Sequence, residues 1–436
     1  MRVEYFFDFS CPFAYLGATQ IERVCEAAGA ELSWQPMLLG GVFRGLGVTS
    51  AAKAVLRLAH GHLDASRWAE LYRVPLHFAA GHPFRTVRAM RALIATDAAD
   101  WGRVIAAIYD SYWVRGEDIS EKAALAGALD RAGLDAGATE RALAANDDPH
   151  IKAELRKRTD EALSRGVFGA PTIFVHPDDG REPVMVFGQD RLPLVAAVLA
   201  GFDPEAGTPP DSKARARAAA VLEATPFPEP SAGHPIEMWY DLSSPYSYLA
   251  STQIEALAEK VGSPLAWRPM LLGAVFKALA GPLVPILSAP ESKRRYLGRD
   301  LAHCAAYLGV PFRFSSHFPL RTVTALRLLV LAEKKIAPLG HALFREAWVN
   351  DANLDDREVL ARGLGAAGLD AAVVDKTGDQ AIKDALFQAT AEATQKGIFG
   401  APTFVVKQPA GDLLFWGHDR MDMVARAAAG WRPRAG

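Results

Sequence analysis

The stretch Tyr240-Asp241-Leu242-Ser243-Ser244-Pro245-Tyr246-Ser247-Tyr248-Leu249 decides the fold of this chain, because it joins a predicted strand to a predicted helix. The apolar run 236–240 is typical of a strand, and Pro245 opens an amphipathic helix. Ser244 therefore falls at a helix N-terminus, where backbone N–H groups and the helix dipole favour an anion. The same layout occurs once before, at residues 7–16, with Cys11 in the place of Ser244.

Further repeated segments, in the same order, show that the chain is a tandem duplication. The pairs are 19–22 with 252–255, 34–40 with 267–273, 85–87 with 321–323, and 166–172 with 397–403. We therefore predict two domains, 1–201 and 234–436. The proline-rich segment 202–233 reads as a linker, with one short exposed helix at 213–224.

The hydrophobic patterns within one copy predict its fold class. The first copy reads as strand 3–7, helix 12–28 ending at Gly29, strand 32–36, a mostly helical region 50–165, strands 172–176 and 184–187, and helix 191–199. In the second copy the first helix ends at Gly262. This order predicts an α/β chain of two tandem thioredoxin-like domains. Each has an inserted all-helical subdomain, at about 50–150 and about 283–385.

Composition narrows the class of protein. The chain has 436 residues and a net charge of −2, which argues against nucleic acid or an anionic membrane as the main partner. No secretory signal and no bilayer-spanning apolar run is visible. The three cysteines, Cys11, Cys25 and Cys304, form no C-x-x-C pair, so a reducing cytoplasm fits best. No cluster has metal-ligand spacing.

Ser244 and Cys11 allow both a structural and a chemical interpretation. Ser244 followed by Pro245 is a good N-cap and N1 pair, so the serine could serve only to cap the helix. Cysteine is a poor cap, and a thiol at a helix N-terminus should be acidified. The presence of Cys11 in the first copy thus favours a chemical role for this position.

Residues 241–250 and 397–403 together resemble 2-hydroxychromene-2-carboxylate isomerase and the kappa-class glutathione transferases, in the DsbA-like branch of thioredoxin folds. The resemblance implies that Ser244 donates a hydrogen bond to the thiolate of glutathione. It also implies a glutathione-dependent isomerase that acts on small aromatic-degradation intermediates, with a kappa-like transferase as the alternative. Members of the family pair as homodimers, so the fusion implies an intramolecular pseudo-dimer.

The first copy departs from this pattern. Cys11-Pro12-Phe13-Ala14 is similar to the C-P-x-C of DsbA-type oxidoreductases, but Ala14 replaces the second cysteine. Cys11 can be a serine substitute that helps to bind glutathione, a monothiol redox site, or a relic. A monothiol thiol–disulfide oxidoreductase is therefore a rival function, and a non-catalytic glutathione- or hydrophobe-binding protein is a third.

The resemblance also implies further site residues in matched pairs. Pro171 and Pro402 would be cis, with the backbones of Ala170 and Ala401 pairing with the cysteinyl part of glutathione. Gln189-Asp190 and His418-Asp419 would contact its γ-glutamyl group, although the kappa pattern has Ser before Asp. Asp190 and Asp419 are alternatively N-caps or first-turn acids of the last helix of each copy. Arg85 and Arg321 stand where the family usually has Asn, and from their chemistry alone they are interpreted as surface arginines or as a clamp for a substrate carboxylate or the glycine of glutathione. Trp113 and Trp348 are core or pocket wall, and Asp118 and Asn353 add polar groups. Cys25, Cys304, His60, His62 and His77 receive no functional role.

Overall fold

The structure, a computed structural model, describes residues 1–48, 55–220, 227–228 and 233–434. The first half begins with β1 (Arg2–Phe7), α1 (Pro12–Ala28) and β2 (Glu31–Pro36). Seven helices follow: α2 (Leu39–Gly45), α3 (Val55–Tyr72), α4 (Val87–Ile94), α5 (Trp101–Tyr109), α6 (Lys122–Arg131), α7 (Ala136–Ala144) and α8 (Pro149–Ser164). The half closes with β3 (Thr172–His176), β4 (Val184–Phe187) and α9 (Leu192–Leu199), and α10 (Ser212–Ala220) follows it.

The second half repeats this order. It contains β5 (Ile236–Tyr240), α11 (Pro245–Ser251), α12 (Ile254–Lys260), β6 (Leu265–Pro269), α13 (Leu272–Ala278), α14 (Glu291–Leu308), α15 (Val323–Leu331), α16 (Ile336–Trp348), α17 (Arg357–Ala366), α18 (Gln380–Gln395), β7 (Thr403–Val406), β8 (Leu413–Trp416) and α19 (Met421–Ala428).

Each half builds one four-stranded sheet, with the strand orders β2-β1-β3-β4 and β6-β5-β7-β8. The first two strands of each half pair in parallel, and the other two pairings are antiparallel. The central strand β1 is almost wholly buried, as expected for a strand covered on both faces. The predicted class, two tandem thioredoxin-like α/β domains with helical insertions, is confirmed.

The first helix of the second half differs from the prediction of one continuous helix ending at Gly262. It is broken between α11 and α12, where Gln253 has φ −125° and ψ −29°. Three side chains near the break bond to backbone carbonyls: Ser251 to Tyr248, and Thr252 and Gln253 to Leu249. Side-chain bonds of this kind compete with the helical ladder.

The linker helix is less exposed than predicted. It spans Ser212–Ala220, and residues 221–224 of the predicted segment lie outside the described residues. Ala214 and Ala218 are buried, and Asp211 caps the helix by accepting the Ala214 N–H at 2.8 Å. A helix with small buried residues on one face packs closely against its neighbour, which here is α9.

The long insertion helix of each half lies against the sheet end of the other half. In α14, Tyr296 contacts the rings of Phe168 and Phe187, and its hydroxyl accepts the Phe187 N–H at 2.9 Å. In α3, His60 contacts the rings of Phe399 and Trp416. Each half therefore packs against the proline loop of the other, which we define as residues 166–172 in the first half and 397–403 in the second.

Candidate functional site

A buried aspartate shapes the turn between the first strand and the first helix of each half. The Asp241 carboxylate accepts the N–H groups of Ser243 at 2.9 Å and Leu272 at 2.8 Å, and the Thr322 hydroxyl at 2.8 Å. Asp8 accepts the N–H groups of Ser10 and Leu39 in the same way. Burial raises the pKa of both carboxyls, while these donors act in the opposite direction.

The turn brings Ser244 to the proline loop of its own half. The Ser244 hydroxyl donates to the carbonyl of Ala401 at 3.0 Å and accepts the Ser247 N–H at 3.2 Å. The Ala401–Pro402 peptide bond is cis. Ser244 thus caps its helix and also presents a donor beside the cis proline, so the two interpretations of this serine are compatible.

Cys11 occupies the same position in the first half. Its Sγ donates to the Ala170 carbonyl at 3.1 Å, next to the cis Ala170–Pro171 bond. Burial raises the pKa of the Cys11 thiol to about 12, although the N–H groups of Ala14 and Phe13 lower it. The expectation that the helix N-terminus acidifies this thiol is therefore wrong for the structure as it stands, because desolvation outweighs the hydrogen bonds.

Two tryptophans tie the helical insertions to these turns. Trp348 Nε1 donates to the Leu242 carbonyl at 2.9 Å, and Trp113 Nε1 donates to the Phe9 carbonyl at 2.8 Å. Each carbonyl lies two residues before Ser244 or Cys11. Both indoles are fully buried, so each tryptophan is a core residue and also positions the turn.

Asp190 and Asp419 lie in an ion-pair cluster between the halves. Arg191 pairs with Asp300 at 2.9 Å and with Asp419 at 2.7 Å. Arg420 pairs with Asp64 and with Asp190, both at 2.8 Å. Burial raises the pKa of Asp190, whereas the two arginines hold the pKa of Asp419 well below its usual range despite burial. Each half thus supplies an arginine to two carboxylates of the other.

Gln189 and His418, the partners of these aspartates in sequence, are both buried. Gln189 accepts the Tyr72 hydroxyl at 2.6 Å, and its Nε2 amide has no hydrogen-bond partner. His418 stacks on Tyr246 with 5.0 Å between ring centroids, and burial lowers its pKa to about 4. The Ser247 hydroxyl is a second buried group without a partner. Such atoms mark places where a ligand can complete the hydrogen bonding.

The remaining predicted residues lie further out. Arg85 is exposed, and Arg321 is 84% exposed and 3.6 Å from Asp355. Asp118 accepts the Ser120 N–H, and Asn353 accepts the Asp355 N–H, so both stabilise turns. The structure brings none of these four into contact with Ser244 or Cys11 among the contacts of the described residues.

Three features of the site were not predicted from the sequence. Thr322 lies next to Arg321 in a repeated triplet, and the repeat could have directed attention to the threonine that bonds Asp241. Arg191 and Arg420 also occupy repeated positions, but only the folded interface shows their partners. His62, which received no role, stacks on Phe78 with 4.2 Å between centroids.

The described ranges contain neither a membrane-spanning helix nor a candidate metal cluster. None of the helices there is both long and apolar enough to cross a membrane. Within the same ranges, no group of three or more His, Cys, Asp or Glu side chains is arranged to hold a metal ion.

Comparison with known proteins gives a match in each half. The family model described as a DSBA-like thioredoxin domain matches residues 2–200 and 235–429. Glutathione S-transferase kappa 1 of Rattus norvegicus is 28% identical over 205 residues, which are 45% of this chain and 90% of that protein. The 2-hydroxychromene-2-carboxylate isomerase of Sphingobium xenophagum is 29% identical over 199 residues, covering 45% and 97%. A solved 2-hydroxychromene-2-carboxylate isomerase structure aligns with a TM-score of 0.41 at 24% identity, covering 46% and 95%.

Proposed function

This chain belongs, in both of its halves, to the family of DSBA-like thioredoxin domains, and we propose that it is a glutathione-dependent isomerase of aromatic-derived compounds. The observation that carries the proposal is the Ser244 hydroxyl, buried and held 3.0 Å from the carbonyl that precedes a cis proline. The similarity to a kappa-class transferase and to 2-hydroxychromene-2-carboxylate isomerases supports glutathione as the cofactor.

The residues around Ser244 fit the cysteinyl part of glutathione. The hydroxyl that now donates to Ala401 can turn its proton to a sulfur anion, and the buried Ser247 hydroxyl offers a second donor. A hydrogen bond to a charged acceptor is about twice as strong as a neutral one, so it favours thiolate over thiol. The Ala401 backbone beside Pro402 is then free to pair with the peptide of glutathione.

When bound, glutathione would supply the nucleophile for reversible addition to an electron-poor carbon of a conjugated substrate, and it would be released unchanged once the bond had rotated or the ring had opened. The chain's own contribution is to stabilise the thiolate through Ser244 and to hold the turn rigid through Asp241 and Trp348. We assign the substrate class as a 2-hydroxychromene-2-carboxylate-like compound, which is isomerised to an open-chain benzylidenepyruvate.

We place the γ-glutamyl end of glutathione at the ion-pair cluster. Its ammonium group fits Asp190 or Asp419, and its carboxylate fits the arginine beside each. Gln189 and His418 lie next to these groups, and the unpartnered Gln189 amide supports a ligand there in the first half. Because the ion-pair cluster contains residues of both halves, we also propose that the single chain works as an intramolecular pseudo-dimer.

The second candidate function is a monothiol oxidoreductase that uses Cys11. It is favoured by the thiol that stands 3.1 Å from the Ala170 carbonyl, where the serine hydroxyl stands in the other half. The raised pKa of Cys11 and the absence of a resolving cysteine at Ala14 weigh against it. Reduction of insulin disulfides that is lost in Cys11→Ser would support this candidate instead of the first.

The main proposal is tested by calorimetric titration of glutathione and by turnover of 2-hydroxychromene-2-carboxylate, followed by absorbance. We expect Ser244→Ala to lower turnover about 100-fold, the effect typical of removing one donor to a reacting anion. Ser251→Ala is the matched control, because this hydroxyl of the same helix bonds only to the Tyr248 carbonyl. A wild type that does not bind glutathione, or a Ser244→Ala variant as active as wild type, contradicts the proposal.

A further inference from the structure

The two halves build different walls at equivalent positions beside the serine and cysteine turns. In the second half, Phe314, Phe318 and Trp348 contact one another, with ring centroids 5.2–6.4 Å apart. In the first half, Phe78 contacts His82 at 5.7 Å and Trp113 at 5.5 Å. His82 precedes a cis proline as Phe318 does, which fixes the equivalence of the two positions.

The first-half wall, which we define as the half-buried Phe78 and His82 and the fully buried Tyr112 and Trp113 packed against them, carries polar groups that the second-half wall lacks. His82 stands in the place of Phe318, and Tyr112 stands in the place of Ala347. His82 also lies 6.0 Å from the ring of His62, which is matched by a glycine in the second half. The second-half wall is thus aromatic only, whereas the first-half wall also carries an imidazole and a phenol that can form hydrogen bonds.

Tyr112 joins the His82 ring to the backbone through two hydrogen bonds. The Tyr112 oxygen accepts the Phe84 N–H at 2.9 Å and lies 3.0 Å from His82 Nδ1. In the neutral tautomer that is protonated at Nε2, Nδ1 is an acceptor and the Tyr112 hydroxyl donates to it. Burial and the nearby His62 lower the pKa of His82, which favours the neutral ring. The tautomer with its proton on Nε2 leaves that N–H available as a donor.

The wall adjoins the Cys11 turn. Trp113 stacks on Tyr112 with 4.6 Å between centroids and lies 5.0 Å from His82. The same indole donates to the Phe9 carbonyl, two residues before Cys11. Tyr112 and Trp113 lie in a π-helical turn, Asp110–Val114, whereas Trp348 ends a regular α-helix. Single π-turns of this kind are frequent at functional sites.

We propose that the two halves select different substrates, and that His82, positioned by Tyr112, is the specificity-determining residue of the first half. Its Nε2–H donates a hydrogen bond to an oxygen substituent, a phenol or phenolate, on the ring of an aromatic substrate. The second half, with Phe318 at this position, offers no such donor and accepts the ring by its face. The inference rests on the proposed function only in taking these walls as substrate surfaces.

The test compares two small probes of similar shape, 4-nitrophenolate and nitrobenzene, bound to the full-length chain with glutathione present. We expect His82→Phe to weaken 4-nitrophenolate binding by about tenfold or more, as for loss of a bond to a charged group, and to leave nitrobenzene binding unchanged. His82→Gln should restore most of the affinity, because its amide can donate in place of Nε2–H. Phe318→Leu, the matched variant of the second half, should leave the preference for the phenolate intact.

Tyr112→Phe tests the positioning role. It keeps the ring but removes the hydroxyl that holds His82, so the absorption band of bound 4-nitrophenolate should shift toward that of the His82→Phe complex. Equal loss of both probes in His82→Phe, or phenolate binding as tight as in wild type, overturns the proposal. Glutathione titration of the same variants separates this result from a failure of the proposed function, because we expect glutathione affinity to stay unchanged.

Discussion

At the residue scale, one backbone arrangement holds an oxygen in one half and a sulfur in the other. Ser244 and Cys11 both donate to the carbonyl before a cis proline, at 3.0 and 3.1 Å. The serine needs no ionisation to donate to an anion, whereas the cysteine must lose a proton in a buried place before it can act as a nucleophile. The same buried position therefore suits a hydroxyl that acts as a donor but suppresses the ionisation of a thiol.

We predict that Cys11 alkylates slowly. With a pKa of about 12 instead of 9.0, its thiolate fraction at pH 7 is about 1,000-fold smaller than that of an unperturbed cysteine. Because the pKa is raised, the rate should rise about tenfold for each pH unit up to the limit of folding. Iodoacetamide labelling of the native chain, read by peptide mass spectrometry, measures this rate. Labelling at pH 7 as fast as that of a small thiol peptide would contradict the burial argument.

At the element scale, the helical insertion acts on the site through a single indole in each half. Trp348 and Trp113 donate to the carbonyls of Leu242 and Phe9, so the insertion holds the turn that leads from strand to helix. Asp241 adds a second tie, because Thr322 at the start of α15 and Leu272 at the start of α13 both bond to its carboxylate. The turn is thereby held from several elements at once.

We predict that Trp348→Phe destabilises the chain by about 1–3 kcal/mol, because a buried carbonyl loses its donor. Since this turn carries Ser244, turnover should fall as well. Trp113→Phe is the matched control in the other half. It should cost similar stability, measured by urea unfolding, but leave Ser244-dependent turnover within about twofold of wild type. Equal loss of turnover in both variants would show that the effect comes from general destabilisation.

At the scale of the whole molecule, the two halves are joined by reciprocal charge pairs. Arg191 forms ion pairs with Asp300 and Asp419, and Arg420 forms ion pairs with Asp64 and Asp190. All of these side chains are less than a fifth exposed. Buried charges of this kind are costly when one partner is removed, so the interface tolerates little change on either side.

We predict that Arg191→Met destabilises the chain by about 3–5 kcal/mol, because Asp300 and Asp419 lose a buried partner. The double variant Arg191→Met with Asp300→Asn should recover part of that loss. Urea unfolding of both variants at pH 7 measures the difference. A double variant less stable than the single one would show that Asp300 has partners that outweigh Arg191.

The same interface predicts a pH dependence. Burial lowers the pKa of His418 and of His60 to about 4, from 6.5. Below pH 6.5 these histidines bind protons in the unfolded chain but stay neutral in the folded chain. The free energy of unfolding therefore falls between pH 6.5 and 4, by roughly 3 kcal/mol for each histidine. His418→Phe keeps an aromatic ring against Tyr246 and should remove the His418 contribution, roughly 3 kcal/mol, from this loss of stability. Thermal unfolding at pH 7 and pH 4.5 tests it, and an unchanged slope would contradict the assignment.

The sequence was sufficient for the parts that depend on local pattern. The repeat, the strands, the serine and cysteine turns and the fold class all follow from periodicity and motif, and the cis prolines 171 and 402 follow from the resemblance. The partners of Arg191 and the bond between Tyr112 and His82 join residues far apart in the chain. The raised pKa of Cys11 was missed because motif position does not report desolvation.

The covalent joining of the halves has an evolutionary consequence. In an assembly of two identical subunits, every mutation changes both sites at once, so Ser and Cys could never stand at related positions. Here Ser244 and Cys11, like Phe318 and His82, are encoded separately, while Arg191 and Arg420 each pair with a carboxylate of the opposite half. In the duplicated chain, a mutation can therefore change the residues of one site while those of the other stay the same.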